Sequence, residues 1–236
     1  MRTGSIARLP ERGSPLGPAS WAREMQALAL SHLRPPDYPL GEAPRGDGHT
    51  VLVLPGFLTG DWTTARLRGF LSALGYRVSK ADVLCNIGPT RELIPRLERR
   101  ILQLSDMRGQ KVSLVGQSLG GVFARGLAQL HPGAVRSVVT LCSPIHFPVT
   151  TALEPFVRLF EPFHDPQWLA RAGDIAKPPG MPVTAIYSRE DGIVDWRQCL
   201  QDEAPGCINI GVAGSHTTMG SNPEAQRVVA EALAKS

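Results

Sequence analysis

The sequence has no apolar run approaching the roughly 20 residues that a helix needs to cross a bilayer, so no membrane span is expected in its 236 residues. Residues 1–20, MRTGSIARLPERGSPLGPAS, also lack the continuous apolar core of a signal peptide. Arg2, Arg8 and Arg12 invite a targeting-peptide reading, but Glu11 and the Pro/Gly content favour a flexible lead-in, and a cytoplasmic location is expected. The four cysteines, Cys85, Cys142, Cys199 and Cys207, show neither CxxC spacing nor a disulfide-dense pattern. A zinc site or a cystine framework is therefore not expected, with a Cys199 to Cys207 bridge the alternative if the protein is exported. Lysine and arginine are interspersed with acidic residues without a run of five, so a net charge of +4 describes a solvated surface better than a nucleic-acid partner. Residues 46–48 (GDG) and the stretch GQSLGG lack Rossmann spacing and a P-loop lysine, which leaves no cofactor to expect.

What remains is ordinary globular material, 42% hydrophobic and 19% charged, of a length that suits one α/β domain. A helix is expected over 21–33, with Trp21, Met25, Leu28 and His32 along one side, followed by a Pro/Gly-rich link. Strand-like segments at 51–54, 76–79, 112–115, 137–141, 183–187 and 208–210 then alternate with helical patterns near 61–74, 91–105, 119–131 and 223–233. This rhythm predicts a mostly parallel sheet of about six strands covered by helices on both faces, within a single domain over 21–236. One interval breaks it. Residues 144–181 hold seven prolines and five aromatic side chains, among them Phe147, Phe156 and Trp168. Such an excursion is commonly a lid-like insertion; the alternative is a set of short helices packed permanently on the body.

The chemistry centres on VSLVGQSLGGVFARGLAQL, residues 112–130. The hydrophobic period changes from strand to helix around Ser118, which stands in the pattern Gly116, Gln117, Ser118, Leu119, Gly120. A serine on such an elbow has an exposed hydroxyl, but it needs a base to take its proton and a carboxylate to orient that base. An elbow enzyme has the chain order serine, acid, histidine. His216 follows every candidate acid and is the last histidine of the chain. Asp191, at the end of the strand in AIYSREDGIVDW and followed by Gly192, is the favoured acid; Glu190 and Asp195 compete locally, Asp195 resembling a helix N-cap, and Asp165 and Asp174 compete from farther away. The alternative role for Asp191 is a turn closed by its own side chain. Oxyanion donors are expected from the Leu119 amide and from LPGFLTGDW, where Phe57 or Leu58 aims its N–H at the site and Phe57 is favoured.

VLVLPGFLTG, VSLVGQSLGGV, AIYSREDGIVDW and GSHTTMGSNPE, in this order and over about residues 50–235, resemble the α/β-hydrolase superfamily, in particular its small bacterial esterase and lipase-like members. The resemblance implies Ser118 as nucleophile, His216 as general base and acid, Asp191 as its orienting partner, and Phe57 with Leu119 as oxyanion donors. It departs from many lipases in reading Pro55 and Gly56 where they start HG, and the helix over 21–33 is expected in place of the two N-terminal strands of the full fold. TLCSPIHFP resembles the SP or TP turn of lipase-like relatives. The expected activity is carboxylic ester hydrolysis through an acyl-enzyme, with acyl transfer, thioester hydrolysis or a non-catalytic binding role as alternatives. The expected partner is a small ester or acyl substrate, with transient contact at a lipid interface left open. Leu58, Trp62, Asn86, Phe147 and Phe156 are the expected substrate contacts, Asn86 also being an ordinary turn former.

Overall fold

The computed structural model describes residues 17–33, 38–41 and 43–236; the expected lead-in lies outside them up to residue 16. Helix α1 (Pro18–Leu33) starts three residues before the expected position, at a proline whose fixed φ suits a first helical turn. Six strands follow: β1 (Thr50–Leu54), β2 (Arg77–Lys80), β3 (Val112–Gln117), β4 (Val135–Leu141), β5 (Val183–Tyr187) and β6 (Cys207–Gly211). They form one sheet in the order β2-β1-β3-β4-β5-β6, and every neighbouring pair is parallel.

Parallel strands need crossover helices, and these bury both faces of the sheet. Leu52, Leu54 and Leu114 pack on one face against Leu97 and Ile101 of α3 (Leu93–Asp106) and Leu127 of α4 (Leu119–Leu130). Val51, Val53 and Val115 pack on the other against Phe70 and Leu71 of α2 (Ala65–Ala73) and Val229 of α8 (Pro223–Ala234). β1 and β3 are buried at every residue, whereas the edge strands β2 and β6 are partly exposed. The carboxyl ends of the central strands therefore share one rim, the rim at which open α/β sheets place ligands.

The interval between β4 and β5 carries three short helices, α5 (Glu154–Phe160), α6 (Pro166–Leu169) and α7 (Ala172–Ile175). Its two halves differ in attachment. α5 buries no residue at all, while Trp168 of α6 is buried edge-on against Phe123 of α4 at a centroid distance of 5.7 Å. Beyond α6 the anchor is Arg125, fully buried in α4. Its guanidinium donates to the carbonyls of Ile175, Ala176 and Lys177 and to Gln201 Oε1, at 2.8–3.1 Å. Burial lowers its pKa to about 10, so it remains a cation at neutral pH, solvated by main-chain oxygens in place of water. The second half of the interval is thus tied to the body by a buried ring contact and by buried hydrogen bonds, and the first half is not.

Replacing Arg125 by methionine keeps the bulk and leaves those carbonyls without donors. A loss of about 3 kcal/mol or more in urea unfolding is expected; a loss below about 1 kcal/mol would show that the cation is dispensable.

Candidate active site

Ser118 sits between β3 and α4 with φ 53° and ψ −125°, left-handed backbone that a non-glycine residue adopts only when its surroundings enforce it. The enforcement is visible in the packing. A side chain on Gly116 would run into the Gly120 carbonyl, and one on Gly120 would run into the Leu54 carbonyl of β1. Gly56, in the loop after β1, would bring a Cβ to 3.1 Å from Ser118 Cβ. Strand, helix and loop converge on the serine only because these positions carry no side chain.

The two candidate amides of that loop differ in their hydrogen bonding. The Leu58 N–H donates to the Asn86 carbonyl at 2.7 Å, so it is committed to structure. The N–H groups of Phe57 and Leu119 have no hydrogen-bond acceptor among the described residues. Two free donors beside Ser118 are what a developing oxyanion needs. Asn86 itself is 1% exposed and braces the loop: its Nδ2 donates to the Pro55 carbonyl at 3.0 Å and its Oδ1 accepts from Gly88 N at 3.1 Å.

Asp191 and His216 come together after β5 and β6. His216 Nδ1 lies 2.7 Å from Asp191 Oδ2, with both residues buried. The other oxygen, Oδ1, accepts from Ile193 N at 2.8 Å and Val194 N at 2.9 Å. Asp191 therefore closes its own turn with one oxygen and engages the imidazole with the other. Asp195 caps the 3-10 turn Trp196–Cys199 through the Arg197 amide at 3.1 Å, as its position before a tryptophan implies. Glu190 is exposed. Burial pulls the His216 pKa down, but the Asp191 charge and hydrogen bond together with the Glu24 charge outweigh it, and the net shift is upward from 6.5.

The histidine loop is held beside the elbow through the residue before the serine: Gln117 Nε2 donates to the His216 carbonyl at 2.9 Å. The Ser118 hydroxyl makes no hydrogen bond among the described residues, so the serine-to-imidazole link is not formed in this structure. Cys142 Sγ, an Asp191 oxygen and a His216 nitrogen lie within 4.8 Å of one another. The carboxylate–imidazole hydrogen bond accounts for two of them, and burial holds the Cys142 thiol neutral by raising its pKa well above 9.0. All four cysteines are free thiols, including Cys199 and Cys207.

Ser118 opens into a cavity of about 420 Å³, roofed by the 144–181 interval and walled by apolar side chains including Phe57, Leu119, Val122, Leu153 and Trp168. Of the expected substrate contacts, Phe147 lines it. Leu58, Trp62, Asn86 and Phe156 do not. Trp62 and Phe156 are 55% and 43% exposed. α5 turns Glu154 and Val157 inward, one helical turn apart, which directs Phe156 between them toward solvent. The edge of Phe160 meets Phe57 at a centroid distance of 6.2 Å, so the end of α5 rests on the oxyanion loop.

No family model matches the sequence, and no curated relative matches it. Solved structures do. Aspergillus fumigatus lipase B superposes with a TM-score of 0.63 at 18% identity, covering 85% of this chain, which spans 55% of the lipase's length. An α/β-hydrolase enzyme from the metagenome of sediments of the lagoon of Mar Chica, Morocco, superposes with a TM-score of 0.57 at 17% identity over 81% of this chain and 93% of its own. The chain has the α/β-hydrolase fold. A thioesterase domain from the curacin biosynthetic pathway shares that fold, with a TM-score of 0.56 at 13% identity over 82% of this chain and 93% of the domain. In α/β-hydrolase terms the chain presents a compact version, with β1 the first strand among the described residues.

If Asp191 sets the charge state of the imidazole, Asp191→Asn should lower the His216 pKa in a proton NMR titration, whereas Asp195→Asn should leave it in place. The reverse pattern would transfer the acid role to Asp195.

Proposed function

We propose that the chain is a serine hydrolase that cleaves carboxylic esters through an acyl-enzyme. The observation that carries this reading is the buried Asp191–His216 pair held beside a left-handed serine elbow that opens into an apolar cavity. Ser118 Oγ attacks the ester carbonyl while His216 Nε2 takes its proton, and Asp191 stabilises the imidazolium that forms. The carbonyl oxygen gains negative charge and meets the free amides of Phe57 and Leu119. Collapse of the tetrahedral species breaks the C–O bond, and the departing alkoxide takes the proton from His216. Water then repeats the sequence in reverse roles, returning the acid and the free serine. The mechanism requires the serine hydroxyl to reach the imidazole once substrate is bound; such hydrogen bonds are commonly loose before that.

The apolar cavity suits an acyl chain, and its volume of about 420 Å³ lies in the range of small-molecule sites. Phe147 on the roof and Phe57 on the floor would flank that chain. Thioester hydrolysis uses the same atoms and draws on the likeness to the curacin thioesterase domain. Assay of nitrophenyl esters of increasing acyl length beside acyl-thioester substrates separates the two.

Wild-type protein should hydrolyse the esters and be labelled by a fluorophosphonate, and Ser118→Ala should lose both, with a rate drop of about 10³-fold or more. Full activity in Ser118→Ala would sink the reading. Because only neutral imidazole accepts a proton, the raised His216 pKa means that kcat/KM falls on acidification with a midpoint above 6.5.

A further inference from the structure

The acid loop and the histidine loop meet a third carboxylate that comes from outside the sheet. Glu24 lies in α1, 2% exposed, on a helix whose Trp21 is 41% exposed. Its Oε1 accepts from the Gly192 amide at 2.9 Å and from the His216 amide at 2.9 Å. Its Oε2 accepts from the Thr217 amide and the Thr217 hydroxyl, each at 2.9 Å. One side chain thus takes three main-chain amides, those of Gly192, His216 and Thr217, and shares the single Thr217 hydroxyl proton with its own main-chain carbonyl. Around it, Ser20 donates to the Gly192 carbonyl at 3.1 Å, and the Thr217 hydroxyl also reaches the Glu24 carbonyl at 2.9 Å. The approach is close, since a Cβ on Gly192 would lie 3.0 Å from Glu24 Cγ and would crowd the carboxylate.

We propose that Glu24 is a positioning residue of the active site, a carboxylate clamp that fixes the acid loop against the histidine loop and so sets the geometry of the Asp191–His216 pair. The proposal rests on the serine-hydrolase reading of that pair. A bound anion at the same place could be exchanged or lost; a side chain held by its own helix cannot. Three amides converging on two oxygens require an acceptor at both, which only the carboxylate supplies. Glutamine offers one acceptor oxygen, so its NH2 group would face at least one of these amides and leave it without a partner.

The clamp also has an electrostatic consequence. The charged groups that act on the His216 ring are Asp191 and Glu24, both carboxylates, and both push its pKa upward. The Cys142 thiol beside Asp191 is held neutral by burial. Removing the Glu24 charge should therefore move the imidazole pKa down, independently of any loosening of the loops.

The test uses the full chain with nitrophenyl butyrate as probe, from about pH 5 to about pH 9. Glu24→Gln is expected to lower kcat about 10–100-fold with KM nearly unchanged, as a small misplacement of reacting groups does, and to move the acid limb of kcat/KM down by about half a pH unit or more. Glu24→Asp keeps the charge but withdraws it by one methylene, so kcat falls while the acid limb stays. Arg23→Gln, an exposed change on the same helix, is the control and keeps the wild-type profile. Wild-type kcat and acid limb in Glu24→Gln would overturn the proposal, and so would an unmoved acid limb accompanied only by a loss of folded protein. Proton NMR titration of the His216 ring in wild type and Glu24→Gln reads the same shift without substrate. An inert, fluorophosphonate-resistant wild type whose His216 pKa still drops in Glu24→Gln would sink the hydrolase reading and leave the clamp standing.

Discussion

The close approach of three backbone segments at Ser118 is the constraint on which the site depends. β3, α4 and the loop after β1 meet where Gly56, Gly116 and Gly120 leave no room for a Cβ. The contact turns the serine into left-handed backbone, directs its side chain to the cavity, and leaves the Phe57 and Leu119 amides unpaired beside it. A methyl group added at Gly120 would push against the β1 carbonyl, a rigid partner, and the elbow would have to open. The opening of Ser118 to the cavity and the unpaired amides beside it are consequences of one steric fact.

Around this fixed point the other groups are brought in by loops, and loops are held by polar side chains. Asn86 ties down the oxyanion loop, Gln117 the histidine loop, and Glu24 both the histidine and acid loops. Ser188 adds a further tie, donating to the Gly214 carbonyl at 2.6 Å. The site thus has an apolar cavity on one side and a shell of satisfied main-chain hydrogen bonds on the other. Such a shell holds side chains in fixed positions beside an open cavity.

The buried strands were legible in the sequence because a strand covered on both faces is a short continuous apolar run, and 51–54, 112–115 and 183–187 are of that kind. The order of Ser118, Asp191 and His216 along the chain was legible for a similar reason, since strand ends deliver their residues to one rim. α1 was less so. Reading its apolar residues as the packing side pointed to Trp21, yet the deeply buried position is Glu24, because this helix docks on amide donors as well as on side chains. Nothing local marks Glu24; its partners Gly192 and Thr217 lie 168 and 193 residues away. Arg125 was hidden in the same way, a cation in an otherwise apolar helix whose acceptors are carbonyls of a distant segment. Residue types alone would mislead elsewhere: His49 joins Asp47 to Ser113, the same trio as the proposed site, but Ser113 is fully buried within β3 and shares its hydroxyl with Ser137.

The placement of Glu24 changes where the working unit of this protein starts. A fragment trimmed to begin at β1 would retain the entire sheet, the elbow, and the three side chains proposed to react. It would lack the carboxylate that unites two of their loops, and it would expose the amides of Gly192, His216 and Thr217 to water. The helix that precedes the first strand is thus part of the site's architecture, although it contributes no atom to the sheet.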